Sequence, residues 1–434
     1  MLPILLTQVA QAGYGLIDTI MAGRVSPADL AAIAIGAGLW LPIFLLISGI
    51  LMATTPLVAE AIGAKQRQRA PLITHQAIWV GLLLGVMGFF LLRLSPMLFE
   101  PLGVPSNLQA MTTTYLTGVS YGVPAMAVYT ALRCYTEALG HPRVVTVISL
   151  LGLGLNIPLN YVFIYGYGMI PAMGGAGCGY ATAILIWMML LALMSYISWA
   201  STYAVVRVFQ QFKRPVWRGM RPILALGIPI GVSIFFEVSL FSMAALILSP
   251  LGEVVVAAHQ IALSVTSQLF MIPLALAMAL TIRIGQLYGE KNWDTLKLVR
   301  HLGLLTATTL ALCTMTLIAL FREQMAMAYT ADTQVQTLAI HLLLFALAYQ
   351  LVDAWQVSAA GILRGLQDTQ VPMWITLFCY WLVALPLGVW LSRGLEYGAA
   401  GFWFGLVLGL GLAAGLLGWR LRWIQQRFDH SPKT

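Results

Sequence analysis

Long apolar runs separated by short polar connections occupy nearly the whole chain, and within each run the apolar character is continuous rather than alternating. Runs of about 20 or more apolar residues mark helices that cross a bilayer, whereas a closed β-barrel would show short alternating segments. Twelve runs are read, over 1–23, 30–60, 72–94, 112–136, 143–166, 176–206, 222–249, 255–286, 297–321, 335–363, 370–392 and 399–420. Several are longer than a simple crossing needs, so tilt, kinking or protrusion is expected. Pro42, Pro56, Pro124, Pro158, Pro229, Pro273, Pro372 and Pro386 lie inside or near the ends of these runs. Membrane helices tolerate proline because neighbouring groups re-satisfy the freed carbonyls.

The pattern repeats. At an offset of 226, residues 3–65 align without a gap to 229–291: Pro3-Ile4 meets Pro229-Ile230, Met52-Ala53 meets Met278-Ala279, and Gly63 and Lys65 meet Gly289 and Lys291. Near offset 227 the turn at 139–142 meets 366–369. The expected organisation is therefore an N-terminal six-helix lobe over 1–206, a basic cytoplasmic linker over 207–221, and a C-terminal six-helix lobe over 222–434. The fold class expected is an all-α polytopic membrane protein, its lobes related by a pseudo-two-fold axis along the membrane normal. Parallel repeats of this kind are a common transporter plan, with the substrate path between the halves.

Composition agrees: 60% of the 434 residues are hydrophobic and 9% charged, against roughly 25% charged in ordinary soluble domains. The net charge of +8 reads as orientation rather than affinity for nucleic acid. With both termini in the cytoplasm, every Lys and Arg falls on that side except Arg24, Arg93, Arg322 and Arg393, as the positive-inside rule requires. Arg214, Arg218 and Arg221 lead into the second half, but no basic lead precedes Met1, so the natural start is expected upstream. The chain has no GxxxxGK[ST] pattern, which argues against ATP as the energy source. Cys134, Cys178, Cys313 and Cys379 stand singly, without metal-ligand spacing. Gly401, Gly405 and Gly409, like Gly81 and Gly85, have the spacing of close helix contacts.

Against this background three acids stand out: Asp18, Glu237 and Asp353, each within an apolar run. An acid at mid-membrane costs roughly 3 kcal/mol or more on insertion scales, so it faces protein or a wet cavity and marks a functional site. Ser233, Glu237 and Phe241 share one face of the seventh run, as do Tyr349 and Asp353 of the tenth, with Gln356 a turn further on. Gln260, Ser264 and Gln268 form a polar stripe on the eighth, beside His259. These three faces are enough for one wet pocket, where two acids can hold Na+ or share a proton. In the first half, Gln11, Tyr14 and Asp18 line one face, with Asn156 and Asn160 on the fifth run and Thr182 on the sixth. This is a second candidate for a proton or Na+, the alternative being that the asparagines only join helices. Glu237 aligns with Gln11, Asp18 with Ala244 and Asp353 with Met126, so the halves have specialised.

Several segments together resemble one family. They are Gly15-Leu-Ile-Asp-Thr-Ile-Met-Ala-Gly23, the run over 56–63, Ala131-Leu-Arg-Cys-Tyr-Thr-Glu-Ala-Leu-Gly-His-Pro142, Asn156-Ile-Pro-Leu-Asn160, Ala257-Ala-His-Gln-Ile261 and 361–369. Over essentially its whole length the chain resembles the multidrug and toxic compound extrusion (MATE) transporters, in their NorM-like bacterial branch. The resemblance implies an antiporter, not an enzyme, that expels cationic amphipathic drugs in exchange for Na+ or H+. It implies a C-lobe cation site at Glu237 and Asp353 with Tyr349 and Gln260 nearby, and an N-lobe site at Asp18, Asn156, Asn160 and Thr182. Some relatives carry aspartate where Asn160 stands, which weakens an N-lobe ion site. Neither ion nor lobe is decided at this level. The protein is expected to work as a monomer among the lipids of the bacterial cytoplasmic membrane, without nucleic acid, ATP or a cofactor. A lipid flippase of the same superfamily is the alternative, disfavoured by acidic rather than basic buried charge; a membrane-embedded enzyme would need a nucleophile or metal cluster that the sequence lacks.

Overall fold

The computed structural model describes residues 1–101, 103–168, 170–203, 208–210 and 212–429, with side chains omitted for 427–429. Arg207 of the expected linker, residues 204–206 at the end of the sixth run and the last five residues of the chain lie outside the described residues. The rest is helical: α1 (Leu2–Gly23), α2 (Pro27–Leu51), α3 (Thr54–Gly63), α4 (Arg69–Leu94), α5 (Ser106–Ala138), α6 (Pro142–Tyr165), α7 (Cys178–Trp199), α8 (Trp217–Leu248), α9 (Glu253–Glu290), α10 (Trp293–Tyr329), α11 (Thr333–Gly365), α12 (Gln370–Leu377), α13 (Leu385–Val389) and α14 (Gly398–Asp429). Helix α2 runs on into α3 through Met52 and Ala53, and the α12–α13 segment carries two π-helical stretches, Phe378–Ala384 and Trp390–Gly394. Grouped this way, the elements make twelve crossing segments.

Among the described residues, ten of the twelve are long and apolar enough to cross a membrane. The other two, α1 and α5, are long helices with more polar sequence, and several of their polar groups face protein. The buried positions of α1 include Thr7 and Asp18. Those of α5 include Thr112, Ser120, Thr136 and Glu137. A helix wrapped by its neighbours need not be apolar throughout, because the neighbours supply hydrogen bonds that lipid cannot.

The chain forms two compact units, Leu2–Gly231 and Val232 onward. The division falls inside α8, past the linker, and close packing explains it. A Cβ on Gly227 would come within 2.1 Å of the Ile50 carbonyl oxygen, and one on Gly231 within 2.8 Å of that of Leu46. The opening half of α8 is thereby seated on α2. The linker is seated too. Gln76 of α4 donates to the Arg214 carbonyl (3.1 Å) and accepts from the Val216 amide (2.8 Å), and Trp79 donates to the Lys213 carbonyl (3.1 Å). The Phe212 ring packs against His75 and Trp79, with centroids 5.0 and 5.7 Å away.

Within each unit, glycines set the closest helix approaches. Gly85 faces Pro124 so tightly that a Cβ would lie 2.7 Å from its Cα, and Gly405 meets Gly388 in the same way at 2.6 Å. The GxxxG spacings on α4 and α14 are therefore packing seams, as their spacing suggested. At one end of the first unit Asp29 accepts from the Gly175 amide (2.7 Å) and from the Ser26 hydroxyl (2.6 Å). That joins the start of α2 to the turn preceding α7, where Gly174 has φ +61 and a Cβ would strike the Asp29 carboxylate.

Candidate functional site

In the first unit, three helices converge on one carboxylate. Asp18 of α1 is buried, as are Asn156 and Asn160 of α6, four residues and one turn apart. The Asn160 amide donates to Asp18 Oδ1 at 2.6 Å and the Asn156 amide donates to the same oxygen at 3.2 Å. Thr182 of α7 donates its hydroxyl to Oδ2 at 3.1 Å. Asn160 also donates to Asn156 Oδ1 (3.2 Å), while its own Oδ1 has no partner among the described residues. An ionised carboxylate offers about four acceptor sites, and three are filled by protein donors. Both asparagines turn N–H groups, not oxygens, toward Asp18. This is a carboxylate whose oxygens the protein itself supplies with donors.

Two residues expected at that site stand apart from it. Tyr14 donates to the Ser149 carbonyl at 2.7 Å, so it ties α1 to α6 one turn short of Asp18. Gln11 is half-buried and is not among the donors to Asp18. The α1–α6 seam is polar along its length: Thr7 and Thr146 hydroxyls lie 3.1 Å apart, and Tyr14 and Asp18 continue the line.

In the second unit the geometry is different. The rings of Phe241 (α8) and Tyr349 (α11) are 6.2 Å apart, edge to face. Successive helices α8 to α11 alternate in direction through short connections, so α8 and α11 are antiparallel. Glu237 is four residues before Phe241 and Asp353 four residues after Tyr349, so the two acids face one another one turn from the aromatic contact. Asp353 is 0% exposed, and neither carboxylate oxygen has a partner among the described residues. Glu237 is half-buried. The two carboxylates repel one another and Arg364, at the end of α11, attracts Glu237.

Aromatic rings wall this pair. Tyr349 packs on Trp403 of α14 (6.0 Å), whose indole N–H donates to His259 Nδ1 at 3.2 Å. His259 lies between Trp403 and Phe402, at 5.9 and 6.4 Å. Tyr380, carried by the first π-helical stretch, is fully buried with an unpartnered hydroxyl, in electrostatic range of both acids. π-Helical turns within α-helices are frequently found at functional positions. Trp381 next to it donates to the Phe236 carbonyl at 3.2 Å, fixing this segment to α8 beside Glu237.

Gln260, expected nearby, makes no hydrogen bond to this group among the described residues. The interior of α9 is formed by Ala258, His259, Ala262, Val265 and Thr266, whereas Gln260, about 100° round the helix from His259, is exposed together with Gln268. Of the polar stripe expected on this helix, Gln260 and Gln268 are exposed and Ser264 is half-buried. His259, Tyr380, Trp403 and Arg364 were not expected at the site. Arg364 carried the one usable signal, a charge at the end of an apolar run.

A duplicated bundle of twelve crossing helices with acids buried at two places defines a multi-pass membrane protein. The MatE family model matches residues 3–162 and 229–390, which reproduces the two repeats. The chain belongs to the MatE family. It is 57% identical to a probable multidrug resistance protein NorM of Acinetobacter baylyi, the match covering 97% of this chain and 94% of that protein. It is 41% identical to the multidrug resistance protein NorM of Vibrio cholerae, over 98% of this chain and 94% of that one. Among solved structures, a MATE protein in the straight conformation superposes with a TM-score of 0.91 at 22% identity, over 99% of this chain and 95% of the other. At that identity the structural likeness speaks for the fold.

Proposed function

We propose that this protein is a secondary multidrug efflux transporter of the bacterial cytoplasmic membrane, both termini cytoplasmic. It exports amphipathic organic cations in exchange for Na+ or H+, and it works as a monomer. The N-terminal lobe, linker and C-terminal lobe act as expected from the repeat. The observation that carries the reading is Asp353, fully buried with both carboxylate oxygens unpartnered and Glu237 facing it. Burying an ionised carboxylate without partners is prohibitive, so the group must acquire a cation or a proton. Asp18, by contrast, already has its donors. This difference supports coupling at the C-terminal acids and a stabilising role for the N-terminal one.

The aromatic wall suits the proposed cargo. The faces of Phe241, Tyr349 and Trp403 offer cation–π surface, and the acids attract the same charge. Drug and coupling ion then compete for one negatively charged place, and the ion releases the drug. The chemistry also requires it: a lipophilic monocation is drawn inward by about 2.3 kcal/mol per 100 mV, so export needs an opposing ion. The names of the relatives, multidrug resistance proteins, support the same reading.

Proteoliposomes holding the purified protein and a fluorescent organic cation test it. Imposing a Na+ gradient or a pH gradient separately is expected to drive dye against its own gradient in one of the two cases. Dye movement that ignores both gradients would overturn the reading.

A further inference from the structure

Beyond the paired acids, the same two helices present a next rung. On α8 Ser233 lies four residues from Glu237, and on α11 Gln356 lies three residues from Asp353, both in the direction away from the Phe241–Tyr349 contact. Because the helices are antiparallel, the three rungs follow one another at intervals of about one turn, roughly 5 Å. Gln356 is 3% exposed and its amide oxygen has no partner among the described residues. A buried carbonyl oxygen without a donor is uncommon, and in a native protein it calls for an explanation. The face continues past Ala360 to Arg364 at the end of α11, the end that the positive-inside asymmetry puts at the cytoplasm.

We infer that Gln356 and Ser233 form a second, weaker cation station through which the coupling ion leaves the acids for the cytoplasm. The inference rests on the reading that Glu237 and Asp353 couple transport. Its chemistry is that of neutral oxygens: an amide carbonyl and a hydroxyl replace part of the hydration shell of a small hard cation. Having no charge, they hold the ion less tightly than the acids, and conduction requires sites that admit an ion and then release it. An amide oxygen is not a proton carrier at physiological pH, so the station selects Na+ as the coupling ion.

The test compares Gln356→Leu, Ser233→Ala and Asp353→Asn in proteoliposomes with an organic cation dye and a Na+ gradient. Gln356→Leu is expected to lower the turnover of Na+-driven dye efflux about tenfold, the scale of one lost polar ligand. The Na+ concentration that displaces bound dye at equilibrium should change less than about twofold. Ser233→Ala, which removes one oxygen from the other side, should slow turnover in the same sense and provides the answer if the leucine variant does not bind dye. Wild-type turnover in both variants overturns the station. So does a loss of Na+-dependent displacement as complete as that of Asp353→Asn, because Gln356 would then belong to the acid site. If Asp353→Asn itself keeps Na+-driven efflux, it is the coupling assignment that fails.

Discussion

Asparagine at position 353 is expected to abolish ion-driven efflux of a cationic dye, lowering the initial rate at least about 100-fold, which corresponds to ~2.7 kcal/mol. The substitution keeps shape and burial and removes the charge that only an external cation can balance. Because neither carboxylate oxygen of Asp353 accepts from a protein donor, the change takes an acceptor from no existing donor, and the fold should persist. Its unfolding temperature in detergent should therefore stay near that of the wild type. Glu237→Gln, at the facing position, is expected to act in the same direction. Were both variants to pump dye as the wild type does, with the same ion dependence, the C-terminal acids would not be the coupling site.

Asp18 predicts the opposite balance. Asp18→Ala removes the acceptor of hydrogen bonds from Asn156, Asn160 and Thr182, leaving Asn160 only its bond to Asn156 Oδ1 and the other two donors without this acceptor. Each buried group left unsatisfied costs about 1–3 kcal/mol, so a loss of ~3–5 kcal/mol is expected, near the top of the range for single substitutions. A large drop in melting temperature in detergent is the readout. Asp18→Asn retains an acceptor oxygen and should lose markedly less. Normal stability in Asp18→Ala would show that the three donors find other partners, and the stabilising role would fall.

Much of this was legible from residue order because the relevant physics is local. Glu237 and Asp353 are visible as charges in long apolar runs, and their separation from Phe241 and Tyr349 by one turn is enough to place them on facing surfaces. The Asp18 cluster was legible for the same reason, down to the asparagine pair at one-turn spacing. Hydropathy alone understates α1 and α5, since their polar groups are satisfied inside the bundle; the repeat restores them. What sequence could not say is which flank of an amphipathic face turns inward. Gln260 and His259 are neighbours of equal promise, and only packing against Trp403 and Phe402 decides that His259 is inside. Tyr380 and Trp403 carried no signal at all, because an aromatic residue in an apolar run looks like any other, and the π-helical turn that aims Tyr380 inward has no residue signature of its own.

The hold of α4 on the connecting segment bears on how the protein behaves on the bench. Lys213 and Arg218 make that segment look like the natural target of trypsin, since exposed basic loops are where chains are nicked, whereas Arg214 is shielded by the following Pro215. A protease must bind its substrate in an extended strand, yet the carbonyls of Lys213 and Arg214 and the amide of Val216 are already engaged by Trp79 and Gln76. Cleavage there has to wait for the segment to lift off, so its rate reports local opening. The native protein should resist limited digestion at this connection, and Gln76→Ala should make two fragments appear sooner on a gel.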